Sequence, residues 1–439
     1  MPSDRERPAG ATPDDDAPPD ATSPDPRARR APTPPSTPRA TTADGAMRET
    51  IAAFTLDRAD APPVEEAPPP PPPPPAVLPV VEVEALDWAA VRAAADPAAV
   101  RARAPEIVAR AEALLDGDAA PGLLFDADRA DAADRTIRVR TLDPGTPLWF
   151  VGDLHGDLLA LEAAVALAHA TDADPARPPH LVFLGDLFDD GAYGLEVLLR
   201  VLELAVASPA TTCVVVGNHD EALAHDGTRF TASVSPSDFA DRLNAAPDDA
   251  WAVRAGALAV RVFARAPRAL FLPDGLLVAH GGFPLVDLHA ELEAQGDWND
   301  PRVLGDFVWT RAHPKARRKL PNRASRGSQF GHEDFADFCA LATRMGRPVT
   351  HMVRGHDHVD DRWAVYPAYA AHPVLTTVAL SRRLEREAFG PYVRVPTLAR
   401  WVPGAVPQVH RLHLPERDVL ALYPESTTDD DASTAEAPR

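Results

Sequence analysis

Five short apolar runs, each closed by a turn that presents an aspartate, asparagine or histidine, constrain this chain more than any other feature. They read PLWFVGD ending at Asp153, HLVFLGD ending at Asp186, CVVVGNHD around Asn218, GLLVAHGG around His280 and HMVRGH ending at His356. Apolar and β-branched runs this short, without polar alternation, read as strands buried on both faces. Helical stretches separate the first three, clearest at Leu158 to Ala168 and Gly194 to Ala207. The resulting β-α-β-α-β order predicts α/β layers with chemistry at the carboxyl ends of the strands. A glycine stands directly before Asp153, Asp186, Asn218 and His356, where it lets the backbone turn sharply as each strand ends.

The flanks of this pattern predict four regions. Residues 1–80 are dominated by Pro, Ala, Asp, Thr and Arg, with unbroken proline from Pro68 to Pro75. Such a composition buries too little apolar surface to offset its ordering entropy, which predicts a disordered arm with local polyproline II. The arm serves as a stiff spacer or as a ligand for a partner with an aromatic groove. Residues 81–145 predict a helical lead-in that packs on the core, with Trp88, Val91, Ile107, Val108, Leu114 and Leu115 on one face and breaks at Pro97 and Pro105. Residues 146–424 form the predicted catalytic domain, and 425–439 an acidic, solvated tail.

A formal net charge of −21 speaks against broad nucleic-acid or membrane binding, though not against a locally basic pocket. The chain has two cysteines, Cys213 and Cys339, in no metal-type spacing, and Cys213 reads as a small buried hydrophobe. With no disulfide framework, no apolar leader in MPSDRERPAG and no long apolar span, the expected location is cytoplasmic.

Asp153 and His155 lie two apart in GDLHGD, so at an extended strand end they point to the same side. Asp186, Asn218, His280 and His356 add oxygen and nitrogen donors from four further strand ends. Taken singly, each is an ordinary turn residue or a hydrogen-bonded core residue; their order along five strand ends is what carries the signal. Donors of this hardness, without thiolate, favour Mn, Fe or Zn over copper, iron–sulfur or an all-oxygen Ca or Mg cage. Six of them suffice for two divalent ions about 3.5–4 Å apart sharing one carboxylate, an arrangement suited to in-line displacement at phosphorus.

The series GDLHG, GDLFDDG, GNHD, HGG and RGH resembles the signature motifs of the phosphoprotein (serine/threonine) phosphatase family, within the calcineurin-like metallophosphoesterase superfamily. The resemblance covers roughly residues 105 to 415. It implies a sandwich of two mixed β-sheets flanked by helices, and hydrolysis of phosphomonoesters by a metal-activated hydroxide with no phosphoenzyme. By that likeness Asp153, His155 and Asp186 hold a first metal, while Asp186 (bridging), Asn218, His280 and His356 hold a second. His219 is then the general acid for the leaving alkoxide and Asp189 its carboxylate partner, which fixes the tautomer and raises imidazole basicity. VWTRAHP at 308–314 and NRASRGSQFG at 322–331 resemble later family segments, the latter placing Arg326 as a phosphate-binding arginine. A solvated surface arginine is the other reading of Arg326.

Two departures from the family bear on substrate. The second motif ends Asp189-Asp190-Gly191 where the family has Asp-Arg-Gly, so a phosphate-contacting arginine is replaced by a like-charged residue. That leaves the metals and Arg326, helped by Arg354, to hold phosphate. The last motif reads GHDH, an ending that in the wider superfamily gives one histidine to each metal; His358 either completes the first metal's shell or faces solvent. Asp220 also stands where glutamate is usual. A basic cluster (Arg311, Lys315, Arg317, Arg318, Lys319, Arg323, Arg326) either draws an acidic phosphopeptide or nucleotide towards the site or is a surface loop. Nucleic acid is not an expected partner, because no aromatic residues interleave with the basic ones. The expected substrate is phosphoserine or phosphothreonine in a protein. The alternatives are a dinucleoside polyphosphate or phosphodiester, or a catalytically idle module that recruits partners through its arm.

Overall fold

A computed structural model describes residues 78–117, 123–318, 327–388 and 390–424. The predicted arm up to residue 77 and the tail from 425 lie outside the described residues, as does Arg326. Twelve strands matter for the site: β1 (Val80–Val83), β2 (Thr136–Arg138), β3 (Leu148–Val151), β4 (His180–Phe183), β5 (Thr212–Val214), β6 (Ala269–Phe271), β7 (Leu276–Ala279), β8 (His351–Arg354), β9 (Trp363–Val365), β10 (Val374–Thr377), β11 (Thr397–Trp401) and β12 (Gln408–Leu412). They form two mixed six-stranded sheets, ordered β1-β12-β11-β3-β4-β5 and β9-β10-β8-β7-β6-β2. All five apolar runs are strands, four of them central in one sheet or the other, while β5 closes an edge of the first.

Period-2 alternation divides each strand between two cores. From the first sheet, Leu148, Phe150, Val182 and Cys213 face Leu270, Leu276, Val278, Val353 and Leu375 of the second, making the layer between the sheets. The intervening residues Trp149, Val151, Leu181, Phe183 and Val214 face outward, onto the apolar sides of helices Leu158–Thr171, Gly194–Ala207 and Ala250–Arg265. On the far side, Phe271, Leu277, Met352 and Val374 pack against Phe335 and Phe338 of helix His332–Arg344. The layers thus run helix, sheet, sheet, helix, as the motifs imply. Both cysteines are free and buried, and burial pushes the Cys213 thiol far up.

The lead-in is more than helical. Pro97 and Pro105 each sit in the first turn of a helix (Pro97–Ala102 and Ala104–Asp116), where a missing N–H costs nothing. Before and after these helices, however, the chain supplies an edge strand to each sheet. β1 pairs parallel with β12, and β2 pairs parallel with β6. Among the described residues no helix is long and apolar enough to cross a membrane.

Candidate active site

The ligand-type residues converge because β3, β4, β5, β7 and β8 all point their carboxyl ends to one place where the two sheets meet. Asp153 and His155 follow β3, Asp186 follows β4, Asn218 follows β5, His280 follows β7, and His356 and His358 follow β8. An isolated bridge between Asp153 and Val378 ties the two sheets together at this point. The turns that aim these side chains are tight. Gly185 has φ +99°, and His155, Asp186 and His356 themselves adopt φ values of 42°, 53° and 69°. Non-glycine residues in that left-handed region cost of order 1–3 kcal/mol each, a cost characteristic of functional sites. Glycine at 355 serves a different need, close approach. A Cβ there would lie 2.3 Å from Asp153 Oδ1, in the space through which His356 N–H reaches that carboxylate.

Two clusters of donor atoms result, linked by a third group of His155, Asp186 and His219. Asp153, His155 and His358 form one, and Asp186, His280 and His356 the other, with ligand atoms in each within 4.8 Å of one another. Asp186 Oδ2 lies 3.8 Å from His155 Nε2 and 3.3 Å from His280 Nε2, so it faces both. Asn218 Oδ1 lies 3.1 Å from His280 Nε2 and belongs with the second group. His358 is not turned to solvent: its Nε2 is 3.3 Å from Asp153 Oδ2.

The protonation pattern indicates what these clusters are for. His155 Nδ1 faces the Phe188 carbonyl at 3.2 Å and His280 Nδ1 faces the Leu184 carbonyl at 2.8 Å. His358 Nδ1 faces the Glu387 carboxylate at 2.6 Å. Carbonyls and carboxylates only accept, so each Nδ1 carries the proton and each Nε2 turns a lone pair inward. His280 Nε2 then meets His356 Nδ1 at 3.1 Å, alongside Asn218 and Asp186 oxygens. With acceptors converging here and the buried His356 Nε2 lacking a hydrogen-bond partner, the arrangement suits a cation between them. Backbone and carboxylate partners on the far ring nitrogens are the usual support for metal-binding histidines. Without an ion, a proton takes its place: against the effect of burial, Asp186 and Asp153 hold His280 up to about 9. The residues present therefore fit two metal ions.

His219 and Asp189 stand at the same mouth. His219 Nδ1 is 2.8 Å from Asp189 Oδ2, and its backbone N–H donates to Asp186 Oδ1 at 2.9 Å. Its ring meets that of His155 edge-on at 5.0 Å. Burial alone would lower its pKa, but Asp186 and then Asp189 outweigh that and hold it above the ordinary histidine value. Asp220 has a supporting part: its carboxylate accepts from the N–H groups of Asp186 (2.8 Å), Gly217 (2.9 Å) and Leu187 (3.2 Å), clamping two ligand turns together.

Arg354 is not brought to the site's open face. It is fully buried, and its guanidinium is engaged by the Gly281 and Thr310 carbonyls, Thr376 Oγ1 and Asp357. A group so enclosed offers no surface to a phosphate, which corrects its expected part in substrate binding. The described members of the basic cluster are also largely paired: Arg317 with Glu333 and Asp337, Arg318 with Asp287, and Arg311 with Asp357. Sequence reasoning missed Glu387, which orients His358, and Arg386, whose Nη2 lies 3.2 Å from His358 Nε2 and 3.4 Å from His155 Nε2. The one available signal was Asp190, an acid that needs a cationic neighbour.

A sequence model of calcineurin-like phosphoesterases matches residues 146–360, a stretch that holds Asp153, His155, Asp186, Asn218, His280, His356 and His358. These residues belong to the calcineurin-like phosphoesterase family. The chain is 26% identical over 208 residues to the serine/threonine-protein phosphatase 6 catalytic subunit of Drosophila melanogaster, which covers 46% of this chain and 61% of that relative's length. Among solved structures, a protein serine/threonine phosphatase from Saccharomyces cerevisiae is similar over 75% of this chain and 91% of its own, with TM-score 0.47 and 14% identity. A cold-active protein-tyrosine phosphatase of a Shewanella species is similar over 66% and 88%, with TM-score 0.37 and 14% identity.

Proposed function

We propose that this phosphoesterase hydrolyses phosphomonoesters with two divalent ions (Mn, Fe or Zn), acting on phosphoserine or phosphothreonine in proteins. The observation that carries the reading is the pair of donor clusters linked through His155 and Asp186, with the His219–Asp189 dyad beside them. Asp153, His155, His358 and Asp186 would hold one ion, and Asp186, Asn218, His280 and His356 the other. When bound, such a pair supplies Lewis-acid polarisation of phosphoryl oxygens and activation of water near neutral pH. The chain's own residues supply the rest. Asp189 keeps His219 in one tautomer and favours its protonated form, so that His219 can deliver a proton to the leaving alkoxide. Phosphoprotein specificity is supported by the 26% identity to a serine/threonine phosphatase catalytic subunit.

A second reading, hydrolysis of a small phosphodiester or dinucleoside polyphosphate, is favoured by two local facts. His358 lies on the Asp153 cluster, and Asp190 occupies the place of the motif's arginine. Phosphate release from a panel decides between the readings. The panel holds an aryl phosphate, phosphothreonine and phosphotyrosine peptides, a bis-aryl phosphodiester and diadenosine tetraphosphate, each with Mn²⁺ and with chelator. Metal-dependent turnover of the phosphothreonine peptide, lost in Asp186→Asn and His219→Ala, is the expected result. Turnover of the diester or dinucleotide alone moves the protein to the second reading, and no turnover with any metal removes both. A cytoplasmic setting is the matching proposal for location, to be read by cell fractionation. A partner for the proline-rich arm is likewise proposed, to be read by capture with the full chain against one lacking residues 68–75.

A further inference from the structure

The motif's missing arginine leaves a gap in the chemistry. A phosphoryl group approaching this cluster of aspartates meets Asp190 where the motif's arginine would stand, so the second motif offers it no fixed cation. The short 3₁₀ turn Glu385–Glu387, more than thirty residues after the last expected ligand motif begins, brings one to that place. Arg386 Nη2 is 3.2 Å from Asp190 Oδ2, 3.2 Å from His358 Nε2 and 3.4 Å from His155 Nε2. Its side chain is 42% exposed, so it stands at the rim, with one edge on the donor cluster and the rest open to solvent.

The segment that carries it is fastened on every side. Ser381 is held by Asp157 through backbone N–H (2.7 Å) and hydroxyl (2.8 Å). Arg382 Nη2 donates to the carbonyls of His155 (2.6 Å) and Asp190 (2.7 Å), joining this segment to the first and second motifs. Glu387 is buried, doubly bonded to the buried Arg362 (2.8 and 2.9 Å), and caps Leu384 N–H at 3.0 Å while holding His358. A long side chain launched from so rigid a base loses little further freedom on meeting a ligand, which favours affinity.

We propose that Arg386 is the phosphate-binding arginine of this site, taking the place of the motif's arginine, with Asp190 as its docking carboxylate. This rests on the phosphoester reading above. Asp190 is then the carboxylate that keeps the guanidinium beside the site through an ion pair, and the acid-for-arginine exchange in the motif is compensated from a distant segment. The histidine lone pairs that Arg386 meets are the ones a metal would use; once they are so used, its N–H donors are released to phosphate oxygens while Asp190 keeps the group in place.

Inorganic phosphate is the probe, titrated calorimetrically into the full chain loaded with Zn²⁺, with metal content measured on the same samples. Arg386→Ala is expected to weaken phosphate binding at least tenfold while two equivalents of metal remain, and Arg386→Lys to recover part of the loss. Asp190→Arg combined with Arg386→Ala, which returns the arginine to the motif, is expected to restore binding to within about threefold. Phosphate affinity within twofold of wild type in Arg386→Ala overturns the proposal. So does a loss explained by missing metal, or a double variant that recovers nothing. Failure of the wild type to turn over any phosphoester would remove the hydrolytic reading alone, since the phosphate titration decides Arg386 without turnover.

Discussion

At the scale of single residues, the dyad of His219 and Asp189 yields the sharpest expectation. The two carboxylates near His219 hold its imidazole above the ordinary value, so the protonated form persists to higher pH than in a free histidine. Replacing Asp189 with Asn removes one of them along with the charged acceptor at 2.8 Å. The folded pKa of His219 must then fall, and a general acid is lost earlier as pH rises. The alkaline limb of kcat/KM for an aryl phosphate is expected to move to lower pH in Asp189→Asn, with kcat reduced roughly tenfold or more. An unmoved alkaline limb would separate His219 from proton delivery. His219 and Asp189 were legible only through the resemblance of GNHD and GDLFDDG to the phosphatase motifs. Arg386 and Glu387 were not. They reach the site from a turn in SRRLEREAFG whose spacing has no period and whose charges look like any solvated surface.

At the scale of elements, the site depends on how strand-end turns lock to one another. Asp220 accepts three backbone N–H groups from the second and third motifs and is 1% exposed. Asp220→Ala strands those donors in a buried setting at about 1–3 kcal/mol apiece, partly relieved by relaxation. A loss of about 3–5 kcal/mol in urea unfolding is expected, together with weakened metal retention. A loss below about 1 kcal/mol would mean that water replaces the carboxylate. Gly355→Ala tests the neighbouring joint: its Cβ would collide with Asp153 Oδ1, so metal content should fall even where far-ultraviolet dichroism is unchanged. The central strands were legible because burial on both faces leaves them uniformly apolar. Two edge strands were hidden: Val80–Val83 carries a glutamate just after a proline tract, and Thr136–Arg138 is three residues long. Both owe their conformation to the partner strand rather than to any local pattern.

At the scale of the whole molecule, the clusters act as a clasp between the sheets. The Asp153 group draws Asp153 and His155 from the first sheet and His358 from the second. The Asp186 group draws Asp186 and Asn218 from the first, and His280 and His356 from the second. Each bound ion would therefore span the layer between the sheets, and each lost ion leaves buried carboxylates of the first sheet facing only histidines of the second. Asp153 and Asp186 are both essentially buried, and their charge is offset in the protein mainly by the histidines that a metal would otherwise occupy. Metal that binds only the folded state adds about 2.7 kcal/mol per site at a hundredfold excess over Kd. Chelation is expected to lower Tm by several degrees, readdition of Mn²⁺ or Zn²⁺ to restore it, and Asp186→Asn, which weakens both sites at once, to abolish most of the shift. His358→Ala, which touches the first cluster only, should abolish about half. A Tm indifferent to chelator in a protein shown to have bound metal would mean that the sheets are held by their apolar layer alone, with Phe150, Val278 and Val353 sufficient to keep the turns in register.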